Sequence, residues 1–154
     1  MKLNIKCGND VRNGYVNIDN DTTVGGDKVT HGGIESVDWV CEDGDAEEIL
    51  ATNALRFVQT DQTDMVLQNW CNKLGAGGKI TIQDTDLHLI SKAFANDQID
   101  QAELSATVFG LNHSMPFRSG IDLRSVVSKL SSLGLKIINK RFDGMSFIVE
   151  AQKC

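Results

Sequence analysis

No apolar run in this 154-residue chain approaches the ~20 residues that a membrane-spanning helix needs. The opening stretch MKLNIKCGND also lacks the long apolar core of a signal peptide, so neither export nor membrane insertion is expected. Cys7, Cys41, Cys71 and Cys154 are scattered, with no Cys-x-x-Cys pair among them. That argues against a zinc site, so no metal is expected, and it favours free thiols in a reducing cytoplasm. Positive charge is scarce: the formal net charge is −6 with the histidines neutral. A broad nucleic-acid-binding face, which requires clustered Lys and Arg, is therefore not expected. Repeats, low-complexity tracts and linkers are missing too. With 41% hydrophobic and 23% charged residues, the chain reads as one folded domain over residues 1–154.

What is present alternates between the two secondary-structure periods. Residues 2–6, Lys-Leu-Asn-Ile-Lys, have the period-2 beat of a strand with one buried face, and 15–19, YVNID, give a second. The segment between them is too short for an ordinary crossover helix. Residues 20–33 carry four glycines and read as a loop, with Ser36–Val40 as a short third strand and 42–45 as a turn. The run 47–55 contains a fourth strand, although its propensities suit a helix equally well. From Asp64 to Leu74 the apolar residues fall on one helical face, Thr63 is placed to cap it, and Gly75–Gly78 ends it. A strand over 79–86 follows, ending in acids. Helices over 87–96, 98–109 and 120–133 come next, the last opened by a capping-box-like Ser119-Gly-Ile-Asp122. Asp143-Gly144 then joins two β-rich runs into a hairpin. The class is α/β: a mostly parallel sheet with an antiparallel C-terminal hairpin strand.

In such sheets ligands bind outside the carboxyl ends of the strands, where strand order reverses. Cys7-Gly8-Asn9-Asp10 stands at the end of the first strand, where a glycine lets backbone approach a ligand; a plain tight turn is the competing reading. Asp19 ends the second strand, where an acid bonds ribose hydroxyls in dinucleotide sites; an ordinary loop acid is the alternative. A nicotinamide cofactor is disfavoured, because G-x-G-x-x-G is absent and Lys6 stands where its first glycine would fall. No G-x-x-x-x-G-K-[ST] is present either. A ligand with ribose but no phosphate fits better.

Four stretches carry a resemblance over nearly the whole chain. LNIKCGND-VRNGYVNID is similar to an "LNLGCG…pGyvNvD" opening, and EEILATNALRF occupies the place of "DEIyashvLEHf". VLQNWCNKLGAGGKITIQDTD resembles "vLkeWyrvLkPGGklvisvPDl", in spacing as well as residue type. FRSGIDLRSVVSKLSSLGLKII is similar to "fhksgfdeelLrelLeeaGFkdV". Together they resemble the small class I S-adenosylmethionine (SAM)-dependent methyltransferases of the type 11-like group. The resemblance implies a three-layer Rossmann-like class I methyltransferase fold, SAM as cofactor, and a small-molecule or saccharide-type acceptor. It implies that Cys7, Gly8 and Asn9 line the cofactor's methionine end and that Asp19, with Asn20 beside it, takes the ribose hydroxyls. Glu42 and Asp43 would approach the adenine, with Trp39 nearby, and Thr52 and Asn53 would face the methyl group or the acceptor.

The departures from the family pattern are equally specific. Lys6 replaces a glycine, Arg56-Phe57 replaces Glu-His, and Phe117 stands where a histidine is expected. A general base of the family pattern is thereby lost. The remaining catalytic candidates are His113, Asn53 and Asp84, with a surface-loop role as the alternative for His113. Two functional readings follow: an active methyltransferase, or a catalytically inactive methyltransferase-like protein acting as a SAM-binding or interaction subunit. In either, a homo-oligomer could complete the acceptor site, since the chain has no added substrate domain.

Overall fold

The computed structural model describes residues 1–111 and 115–154. Seven strands form one sheet: β1 (Lys2–Ile5), β2 (Val16–Asp19), β3 (Val29–His31), β4 (Ala46–Thr52), β5 (Leu74–Thr85), β6 (Leu135–Asp143) and β7 (Ser146–Lys153). Their order is β3-β2-β1-β4-β5-β7-β6. All pairs are parallel except the two made by β7, which runs antiparallel to β5 and β6. The parallel sheet with a reversed C-terminal strand agrees with the sequence expectation. Four helices accompany it: α1 (Thr63–Lys73), α2 (Leu87–Ala95), α3 (Gln101–Phe109) and α4 (Leu123–Ser132). Among the described residues, no helix is long and apolar enough to cross a membrane.

The two faces of the sheet differ because the strands alternate. One row across the register, Leu3, Ile49, Ile80 and Ala151, is wholly buried. With Ile5, Ile18, Ala51, Ile82 and Val149 it packs against Val66, Leu67 and Trp70 of α1 and Val126 and Leu130 of α4. The neighbouring row, Lys2, Glu48 and Lys79, belongs to the other face. There charges pair across strands, Lys2 with Glu48 at 3.7 Å and Lys79 with Glu150 at 3.6 Å. The connections over 6–15 and 20–28 contain no helix, so loop takes the place of helix on this side, whereas 32–45, also without a helix, packs against α1.

That loop is held by a buried amide pair. Asn4 and Asn17 are register partners and almost fully buried. Asn4 Nδ2 donates to Asn17 Oδ1 (2.9 Å) and to the Asp10 carbonyl (2.7 Å). Asn17 Oδ1 also accepts from the Arg12 amide, and its Nδ2 donates to the Arg12 and Tyr15 carbonyls. Asn17→Ala leaves the Arg12 amide and part of Asn4 without partners, and each unsatisfied buried group costs about 1–3 kcal/mol. We expect a loss of about 2 kcal/mol in urea unfolding, with Asn17→Asp losing no less, because its carboxylate keeps the acceptor but turns a second oxygen on the Arg12 and Tyr15 carbonyls.

Several boundaries differ from the sequence reading for identifiable reasons. The third strand is Val29–His31, not Ser36–Val40. Val37 is buried, but its amide donates to Asn69 Oδ1 of α1 and not to a neighbouring strand. The run 75–78 does not end α1 as a turn; it extends β5, whose pairing with β4 shifts register between Ala46 and Glu48. Thr63 is the first residue of α1 and not its cap. Asp122, not Ser119, caps α4 by accepting from the Ser125 amide, while Ser119 Oγ donates to the Leu55 carbonyl.

Candidate functional site

Strand order reverses between β1 and β4, because the chain leaves β1 toward β3 and returns on its other side. A cleft of about 300 Å³ opens at the carboxyl ends of the strands there. Cys7, Gly8, Asp19, Thr52 and Asn53, all named from the sequence, line it. Lys6, Asn4, Asp10, Asp21, Val24, Phe57 and Met115 complete the wall.

The turn after β1 is built by backbone. The Cys7 amide donates to the Ile18 carbonyl, and the Asp10 amide closes back onto the Cys7 carbonyl at 2.9 Å. Gly8 has φ +54°, and nothing lies within 4 Å of where its side chain would project. That combination suits a close ligand approach. Burial, then the charge of Asp19, pushes the Cys7 thiol up to about 11, so it stays protonated at neutral pH and is no nucleophile.

Asp19 closes β2 with 1% of its surface exposed. Its Oδ1 accepts from Lys6 Nζ (2.8 Å) and the Asp21 amide (2.8 Å), and its Oδ2 accepts from the Gly8 amide (2.9 Å). Lys6 therefore reaches the carboxylate that ends β2, from a backbone at φ +58°. Its ammonium also donates to Asn20 Oδ1 (2.8 Å), contacts Met115 Sδ (3.6 Å) and lies 4.5 Å from the Phe57 ring centre. Among the described residues, Lys6 is the one cationic side chain lining the cleft, which Asp10, Asp19 and Asp21 also line.

Beside the carboxyl ends of β4 and β5 lies Arg56. Its Nε donates to Asp84 Oδ1 (2.9 Å), and its Nη2 donates to Asn53 Oδ1 (2.7 Å) and Thr85 Oγ1 (3.2 Å). Its backbone amide reaches Asp84 Oδ2. Asn53, itself at φ +55°, and Asp84 are thus both engaged in holding the guanidinium. Burial raises the Asp84 pKa, against the opposing attraction of Arg56. Asp86 caps α2 through the Leu89 amide and also accepts from the Leu123 amide.

Other sequence-named residues lie elsewhere. Asn9 adjoins the cleft turn without lining the cleft, and Asn20 meets it only through Lys6. Glu42 and Asp43 are corrected: they precede the amino end of β4, about 20 Å of strand from the cleft at its carboxyl end. The assignment failed because they do not follow the third strand. Asp43 instead pairs with Lys73 at 2.6 Å, and Asp38 holds the same lysine, pinning the 32–45 connection to α1. Trp39 is 46% exposed and donates to the Gly33 carbonyl. His113 lies outside the described residues. Asn4, Asp21, Val24 and Met115 were not picked out from the sequence; Asp10 entered as the last residue of the Cys7–Asp10 turn and Phe57 as part of the Arg56-Phe57 departure.

No family model matches the chain, and no curated protein matches it in sequence. Its architecture does match solved structures. A SAM-dependent methyltransferase from Methanosarcina mazei superposes with TM-score 0.66 at 13% identity, over 99% of this chain and 91% of that one. A SAM-dependent methyltransferase from Archaeoglobus fulgidus gives 0.69 at 11%, over 99% and 85%. The magnesium protoporphyrin IX methyltransferase of Synechocystis, solved with bound S-adenosylhomocysteine (SAH), gives 0.68 at 9%, over 100% and 74%. The chain has the class I methyltransferase fold.

Proposed function

We propose that the chain is a SAM-dependent methyltransferase that holds its cofactor in the β1–β4 cleft and acts on a small-molecule or saccharide-type acceptor. One observation carries this reading: the cleft at the reversal of strand order joins the open Gly8 turn to the buried carboxylate that ends β2. Those residues fit the cofactor. Gly8 leaves room for its amino-acid end, Asp19 offers a carboxylate to the ribose hydroxyls, and Asp10 and Asp21 offset a positively charged ligand. Cys7 and Asn9 border the amino-acid end and Asn20 stands beside Asp19, while Phe57 and Met115 exclude water.

The sulfonium supplies an already activated methyl group, so aligning an acceptor lone pair with it provides most of the catalysis. Thr52 and Asn53 stand at the acceptor end, at the close of β4. Neither Asn53 nor Asp84 is disengaged to take a proton, because both hold Arg56. The acceptors that suit this site are amines or already acidic oxygens. The chain works in the cytoplasm, where its four unpaired thiols remain reduced, and a second copy completes the acceptor pocket.

The Arg56 cluster also favours a second reading: a cofactor-binding subunit without turnover. Calorimetry with SAM and SAH, followed by an assay of SAH production over an amine and saccharide panel, separates the two. Binding is expected, and Asp19→Ala is expected to weaken it at least tenfold. No binding by the intact protein would overturn both readings; binding without turnover selects the second.

A further inference from the structure

Lys6 is the residue whose position is hardest to explain as plain structure. Its backbone sits in the left-handed region, which L side chains other than Asn and Asp seldom occupy and which carries strain. Its side chain is 9% exposed, and its ammonium has a partner for each proton: Asp19, Asn20 and Met115. The Phe57 ring lies over the same charge. A lysine serving only to neutralise Asp19, its neighbour one step beyond the Ile5–Ile18 pair, has no need of the Phe57 ring and Met115 as further partners. This one fills the space in front of the carboxylate that the proposed function assigns to the ribose.

Asp19 has little left to offer while Lys6 is in place. One oxygen carries two donors and the other carries one. The two backbone donors belong to the turns that shape the cleft, so the ammonium is the partner that a ligand displaces. A hydroxyl-to-carboxylate bond involves one charged group, whereas the ammonium-to-carboxylate bond joins two. Exchange of ammonium for a vicinal diol is thus unfavourable by itself and requires contacts from the rest of the ligand.

We propose that Lys6 sets a common affinity threshold for diol ligands, by holding the diol-binding carboxylate so that nucleosides carrying an amino-acid tail bind measurably and those without one do not. Bare nucleosides such as adenosine are excluded although they carry the same diol. This inference rests on the proposed cofactor cleft, and it deepens it by assigning the selection to an internal competitor.

The displacement cost is common to every diol ligand, which makes the test decisive. Calorimetry measures SAH and adenosine against the intact protein, Lys6→Gly and Lys6→Gln. Glycine accepts φ +58° without strain, and glutamine keeps length without charge, so the pair separates competition from misfolding. Thermal melts confirm that each variant is folded. The intact protein is expected to bind SAH and not adenosine. In Lys6→Gly both affinities rise in parallel, each by at least tenfold, and adenosine binding becomes measurable.

A gain confined to SAH would place the lysine against the amino-acid tail and overturn the inference. Unchanged or weaker SAH binding in folded Lys6→Gly would overturn it too, while leaving the cofactor cleft standing. No binding of either ligand to any of the three proteins would overturn the cleft assignment and this inference together.

Discussion

Arg56→Ala is expected to lower the unfolding free energy by about 3 kcal/mol at neutral pH, most of it reversible by acid. Removing one member of a buried ion pair costs about 3–5 kcal/mol, and the partial exposure of Arg56, at 16%, points to the lower end. Asp84 would remain 3% exposed with only the Arg56 and Thr85 backbone amides to hold its charge. Its carboxyl already titrates above the ordinary 3.8 because burial outweighs the attraction of Arg56. Loss of that attraction raises it further. Unfolded, Asp84 returns to the ordinary value, so between 3.8 and the raised value the folded state binds more protons than the unfolded one. Stability therefore falls as pH rises through this window, and falls further in the variant. Urea unfolding at several pH values would show the deficit widest above the raised value and narrowest near pH 3.8. A deficit that does not change with pH would show that the Asp84 charge is not its source. Arg56→Lys, which keeps the charge but loses the fork to Asn53 and Thr85, falls between the two.

The departures from the family pattern in the first and fourth strand motifs, and at Phe117, prove to be one structure. Lys6 lies 4.5 Å from the Phe57 ring centre, Phe57 meets Phe117 edge-on at 5.2 Å, and Arg56 lies 4.9 Å from the Phe117 ring. Along this wall the two rings meet each other and the two cations flank them, Lys6 at one end and Arg56 at the other. Each pair contributes little individually, roughly 0.5–2 kcal/mol. A histidine at either ring position would interrupt the wall or bring a second charge beside a cation.

How far the sequence reached depended on whether the deciding signal was local. The stripe of α1 and the C-terminal hairpin are written within a few residues and were read correctly, although the two loop residues are Gly144 and Met145, one place beyond the expected Asp143-Gly144. Gly8 and Asp19, which turn chemistry and strand ends mark in the sequence, both line the cleft. β3 was missed because it has three residues and one buried side chain, Val29, and exists by pairing with β2. That miss carried Glu42 and Asp43 to the wrong end of the sheet. The Arg56–Asp84 contact joins residues 28 apart, and Lys6–Asp19 depends on a left-handed backbone that no lysine announces. The resemblance marked Lys6 and Arg56 as departures, but only geometry showed which carboxylates they occupy.

Trp70→Ala is expected to be the most damaging core substitution, and its effect should reach the cleft. The side chain is fully buried between α1 and the sheet, and truncating such a residue costs about 3–5 kcal/mol. For a chain of this size that corresponds to a fall of roughly 10 °C in the melting midpoint. Its indole Nε1 donates to the Ile34 carbonyl at 2.8 Å, so the variant also strands a buried acceptor. Ile34 lies two residues beyond Gly32, whose amide donates to the Asp19 carbonyl at 3.0 Å. Trp70 thus anchors the segment that supports the end of β2. Trp70→Phe keeps most of the apolar contact but strands the same carbonyl, with an expected cost of about 2 kcal/mol. If the anchoring account holds, SAH affinity falls in Trp70→Phe even at a temperature where that variant is fully folded. Full affinity in folded Trp70→Phe would confine the tryptophan to the core and detach it from the site.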